Sequence, residues 1–233
     1  MKSQLYMWNQ LREKYKKEIK QLLDTYENRI AVVFKDIEGE ANKVRDEYYE
    51  NPSDFYGDPA DIDCSAIAYD AEMIGLEHYE MLDLMKYNTR AMWISTMYQF
   101  WEQQVRGFLY NEIRHYYKID TKDFCTNGMK EIKEWFKEHN TNLEELKSWQ
   151  KIEELSLLNN VIKHGDGKSA ENLRKVRDDL FMSGDIDKLE LYGSSLCERA
   201  LNITDEMVNE YAEVLMQFWN ELPENMYSDE LKK

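Results

Sequence analysis

The sequence predicts an all-α fold: a helical bundle with a long N-terminal helical arm and a C-terminal helix, and minor or no strand. Three observations carry this. Proline is scarce (3) and glycine modest (9) among abundant Glu, Lys, Leu, Met and Tyr, so little stops a helix. Apolar residues recur at helical spacing along most of the chain. The hydrophobic class makes up 42% of the 233 residues and aromatics 13%, enough to build a core and far above the content of a disordered acidic chain.

The arm comes first. From Trp8 the apolar positions step 3-4-4 through Leu11, Tyr15, Ile19, Leu22, Tyr26, Ile30, Val33, Ile37, Ala41, Val44 and Tyr48. This eleven-residue pattern, about 3.67 residues per turn, predicts an almost straight helix. At about 1.5 Å per residue it spans about 65 Å, too long for one small bundle to cover. Its stripe is expected to meet another subunit, making a homodimer, or a protein partner; packing within the chain along its whole length is the alternative.

Pro52, Gly57 and Pro59, with Ser53 and Asp54, mark a linker. Helical spacing resumes from Ala66 to Met85 and again from Ala91 to Tyr116; Asn88-Thr89-Arg90 is either a turn or a polar patch in one long helix. A short amphipathic segment follows from Met129 to His139. Asn142 with Glu145 reads as a capping box opening a helix through Leu146, Trp149, Ile152, Leu155, Leu158 and Val161 to His164, which Gly165 stops. Ser169 is placed to cap a helix reaching Phe181. Between 183 and 203 the periodicity fails: Ser183-Gly184-Asp185, Gly193-Ser194-Ser195 and the short apolar runs Leu189 to Tyr192 and Ala200 to Ile203 read as loop with a small hairpin. Thr204, followed by Asp205 and Glu206, starts a last helix that Pro223 ends.

A formal net charge of −16 opposes nonspecific attraction to nucleic-acid backbones or anionic lipid, so a nucleic-acid site has to be a local basic pocket. Cys64, Cys125 and Cys197 form neither a metal pattern nor a disulfide framework, which fits a reducing compartment. Charged residues after the start and the lack of a long apolar run argue against a signal peptide or membrane span. The expected location is cytoplasmic.

His164 is the best candidate for chemistry, since an imidazole exchanges protons near neutrality. Lys163 and Lys168 flank it, and Gly165 and Gly167 let backbone amides turn toward an anion, as a phosphodiester site requires. Lys-His-Gly is equally an ordinary helix end, with cations on the negative dipole and glycine in the cap. Glu102 and Arg106 stand four apart on one helix, either as a surface ion pair or facing His164 across the bundle. Glu112-Ile113-Arg114-His115 is one Glu-x-x-His where a dimetal bundle needs two. No metal or cofactor is expected.

Trp149 to Gly167, read W-x-x-I-x-x-L-x-L-L-N-N-V-I-K-H-G-D-G, resembles the motif helix of HEPN domains, found in bacterial toxins and antiviral defence proteins. Tyr98 to Val105 is similar to the aromatic-glutamate helix that often precedes it. The resemblance spans about residues 63 to 182. It implies a dimerising all-α bundle in which two motif helices meet in a cleft and, in active members, metal-independent RNA cleavage. The family's motif is Arg, a polar residue, then His. His164 and Asn160 match the last two, but Asn159 occupies the arginine position, and an amide lacks the charge that stabilises a scissile phosphate.

The expected organisation is an arm over 1–50, a linker over 51–62, an HEPN-like bundle over 63–182, and a loop region with the last helix over 183–233. The expected function is an endoribonuclease of a defence or toxin system. In it His164 would move the proton, Asn160 and Lys163 would hold phosphate, Glu102 would orient the site, and Asn159, Lys168 and Arg106 would contact RNA. The alternative is a catalytically degenerate HEPN-like dimeric interaction module.

Overall fold

A computed structural model describes residues 2–51, 63–126, 128–195 and 198–229. The expected linker lies almost wholly outside these residues, as do Asn127 and Cys197. The chain is mostly helical (74%), with a 42-residue N-terminal helical stretch, a C-terminal helix and few short strands.

Strand β1 (Gln4–Tyr6) leads into α1 (Asn9–Thr25), then a π turn (Tyr26–Ile30), a 3-10 turn (Ala31–Phe34) and α2 (Ile37–Glu50). The N-terminal stretch is therefore not one uniform helix. A π turn holds more residues than an α turn, and the apolar stripe shifts accordingly. Phe34 is buried where the 3-4-4 pattern calls for Val33, which is 62% exposed. Asp36 then restarts the helix, its carboxylate accepting from the Gly39 amide at 3.0 Å.

Helix α3 (Cys64–Ile113) runs through Asn88-Thr89-Arg90 without a break. After it come α4 (Thr121–Cys125), α5 (Met129–Glu138), α6 (Trp149–His164) and α7 (Lys168–Val176). A two-residue hairpin, β2 (Met182–Ser183) with β3 (Ile186–Asp187), turns through Gly184 at φ 60°. Then follow α8 (Lys188–Tyr192), α9 (Asp205–Glu221) and β4 (Asn225–Tyr227), which pairs antiparallel with β1.

Two helix starts differ from expectation. Asn142 does pair with Glu145, its amide donating to the carboxylate at 2.9 Å, but it opens only a 3-10 turn at Leu143–Glu145. Leu146 is extended, and α6 begins at Trp149. Ser169 lies inside α7, which starts from Gly167 at φ 148°. Thr204 starts α9 as expected, holding the position before Asp205, although its side chain makes no cap bond.

The chain divides into two compact units, Met1–Asp24 with Ala91–Lys233, and Thr25–Arg90. In the smaller unit α2 lies against the first half of α3. Gly75 permits the approach: a Cβ there would stand 2.9 Å from Arg45 Cβ and 3.4 Å from the Ala41 carbonyl oxygen.

The core of the larger unit is aromatic. Trp101 meets Phe218 edge-on at 5.1 Å, Phe218 meets Trp219 at 5.1 Å, and Trp219 meets Phe108 at 6.3 Å. Gln104 ties three helices together: its oxygen accepts from the Trp219 indole at 3.1 Å, and its amide donates to the Tyr15 carbonyl and to Glu18. Arg12 donates to the carbonyls of Trp219, Asn220 and Leu222, placing a cation on the negative end of α9. No described helix is long and apolar enough to cross a membrane.

Candidate functional site

Helix α6 buries Trp149, Ile152, Leu155, Leu158, Asn159 and Val161. The helical period that makes Leu155, Leu158 and Val161 core residues turns Asn159 inward with them. Asn159 is 4% exposed, and its Oδ1 accepts from Ser95 Oγ at 2.6 Å. Gln99 donates to that same Ser95 hydroxyl at 3.1 Å. Its amide thus belongs to a buried helix-to-helix contact, where a neutral group is tolerated and a guanidinium would lose its hydration.

Asn160 is half-buried, while Lys163 and His164 are exposed at the end of the helix. Neither the Lys163 nor the His164 side chain has a hydrogen-bond partner among the described residues. Gly165, at φ 72°, donates its amide to the Val161 carbonyl at 2.9 Å and closes the helix. Beyond it Asp166 accepts from the Ser195 hydroxyl at 2.9 Å, so the loop over 193–195 is fastened at this exit. Lys168 opens α7 and is exposed.

Glu102 and Arg106 form an ion pair on α3 at 2.7 Å. They do not reach His164 within the chain. Two contacts fix α3 and α6 as antiparallel, Ser95 with Asn159 and Ser156 with Tyr98. Glu102 lies seven positions beyond Ser95, and His164 five positions beyond Asn159 in the opposite direction, which separates them by about 18 Å along the helices. His164, Lys163 and Lys168 therefore share one end of α6, Asn159 sits in the core beside it, and Glu102 with Arg106 stands near its other end.

The Glu112 carboxylate accepts from the Tyr6 backbone amide at 3.0 Å, so it secures β1. Among the described residues no three His, Cys, Asp or Glu side chains converge as a metal site.

Two polar clusters escape sequence reasoning, because their members are distant along the chain. Glu154 accepts from Arg177 at 2.6 Å and from the Tyr211 hydroxyl at 2.8 Å, and pairs with Lys151 at 2.8 Å. Burial and then the Glu154 charge raise Tyr211 above the ordinary phenol range, so it stays a neutral donor. Its partners are all matched, as in a structural junction of α6 and α9. In the second cluster Ser3 Oγ lies 3.0 Å from His139 Nε2 and 2.8 Å from Ser228 Oγ. A serine beside a histidine is a nucleophile and base in principle. With Ser3 at 0% and His139 at 1% exposure, no substrate reaches them; they lock the paired termini.

No family model matches the chain, and no curated protein or solved structure matches it either.

Proposed function

We propose that the chain is a catalytically degenerate, HEPN-like interaction module that forms a homodimer, rather than an active ribonuclease. The observation that carries this reading is Asn159. At the position where the resemblance calls for the phosphate-binding arginine stands a neutral amide, 4% exposed and bonded to Ser95. Phosphate charge would meet no guanidinium there, and the net charge of −16 weakens any RNA encounter.

Dimerisation is supported by the first half of α3. Tyr69, Met73, Leu76 and Leu84 are 66%, 37%, 49% and 44% exposed and recur at spacings that place them on one helix face. Two copies of so acidic a chain repel each other almost everywhere else. An apolar stripe, interrupted by the exposed Glu80 on the same face, can meet its own image across a two-fold axis, which is what an isologous interface requires. Leu76→Glu/Leu84→Glu should convert a dimer to monomer in sedimentation analysis while leaving helix content unchanged; a wild type that sediments as a monomer would refute the homodimer.

Ribonuclease activity keeps one supporting observation, the exposed His164 between Lys163 and Lys168 at a glycine-bounded helix exit. Incubation of wild-type protein and His164→Ala with structured and single-stranded RNA decides between the two. The expected result is intact RNA in both. Cleavage by the wild type that His164→Ala loses would establish the ribonuclease.

A further inference from the structure

The larger unit holds a cavity of about 550 Å³ bordered by α3, α5, α6 and α7, within the range that takes small organic ligands. It lies on the opposite stretch of α6 from His164. Met129, Leu157 and Val176 give it an apolar lining, while Tyr98, Trp101 and Trp149 behind it are packed to 5%, 0% and 3% exposure.

The rim is basic in an acidic protein. Lys130, Lys133 and Lys175 border the cavity. Lys133 is occupied, paired with Glu144 at 2.6 Å and lying 5.8 Å from the Trp149 ring centre. Glu153, the carboxylate at this edge, accepts from the Trp149 indole at 2.9 Å and stands 3.9 Å from Lys133. Lys130 and Lys175 have no carboxylate partner among the described residues; Lys175 donates only to Asn172, at 3.2 Å. In a chain with 46 acidic and 30 basic residues, two unpaired lysines over an apolar cavity are the complement of an anion with an apolar body.

We propose that this cavity binds a small anion with an apolar body, the body against Met129, Leu157 and Val176 and its acidic group toward Lys130 and Lys175. The site is independent of the dimer face and of the His164 end. Burial of the apolar body supplies the affinity, while the lysines select for charge.

The test is fluorescence titration of the full chain with 8-anilinonaphthalene-1-sulfonate, alongside its uncharged analogue N-phenyl-1-naphthylamine. Expected are saturable binding of one molecule per chain, energy transfer from tryptophan to the probe, and binding of the uncharged analogue at least tenfold weaker. Lys130→Ala/Lys175→Ala, altering only exposed side chains, should weaken the sulfonate at least tenfold and leave the analogue unchanged. Leu157→Trp, which fills the cavity, should abolish both, while Leu76→Glu/Leu84→Glu should alter neither. Unsaturable binding, or sulfonate affinity unchanged in the lysine variant, overturns the proposal. Unchanged binding in a folded Leu157→Trp overturns the location. If Leu157→Trp does not fold, the lysine variant alone decides.

Discussion

Asn159 shows how little of a residue's role lies in its side chain alone. Its amide is a phosphate donor in an open cleft and a core fastener against Ser95, and only burial separates the two. Asn159→Ala should lower stability by about 1–3 kcal/mol, since it leaves the Ser95 hydroxyl without its acceptor; thermal melting reads this directly. Restoring the family's residue with Asn159→Arg should destabilise by several kcal/mol, without switching on RNA cleavage. Cleavage by a folded Asn159→Arg would mean that position 159 opens to substrate after all. Tyr15 gives a pH test. Burial, with the nearby Glu18 and Glu112 charges, pushes its pKa from 10.0 up to about 12. The fold holds the neutral phenol, so this contribution is complete below pH 10 and is lost as pH rises through about 12. Tyr15→Phe should show a shallower loss of stability over that interval in denaturant titrations.

Among elements, the contact of α2 with α3 depends on a missing side chain. Gly75→Leu would drive carbon atoms into Arg45 and the Ala41 carbonyl, so the helices must separate or Arg45 must move. A loss of about 1–3 kcal/mol is expected, read as a lower melting temperature, and Gly75→Leu melting like the wild type would disprove the close approach. The end of α9 is tied to the start of α6 by a different device. Burial pushes the Glu221 carboxyl up, but the Ser148 amide and hydroxyl and the Gln217 amide outweigh it and hold Glu221 below its ordinary 4.5. This stability is present above pH 4.5 and is lost as pH falls through the lowered value. Glu221→Gln should therefore be less stable than wild type at pH 7, and the gap should close on acidification.

At the scale of the whole molecule, the helical class and the position of most helices were legible because each rests on neighbours in sequence, whereas the apolar run Leu189 to Tyr192, read toward a hairpin, is helix α8, and the hairpin lies at 182–187. The 3.6-residue period of α5, α6 and α9 is local, and so are their flanking breakers. The pairing of β1 with β4 was not legible. Three residues give no periodicity, and their partners lie more than 200 positions away. The division at Asp24 and Ala91 was hidden for a related reason: α1 and α3 both continue through helical backbone where the units part. Breakers mark the ends of helices, whereas contacts mark the ends of units.

By itself the sequence determined that this chain is an acidic helical protein, that α6 ends at His164 and Gly165, and that the arm is helical up to residue 50, though not that a π turn and a 3-10 turn interrupt it between Tyr26 and Phe34. It also named the residues worth testing at the end of α6. Tertiary structure decided what those residues face. Asn159 lies in the core because its angular position on α6 falls between those of Ile152 and Leu155, and Glu102 stands far from His164 because α3 and α6 run antiparallel in a register that Ser95 and Ser156 set. The apolar cavity with its unpaired lysines was likewise invisible, since it joins residues of four helices. Periodicity states which side of a helix is apolar; only packing states which helix it meets, and at what height.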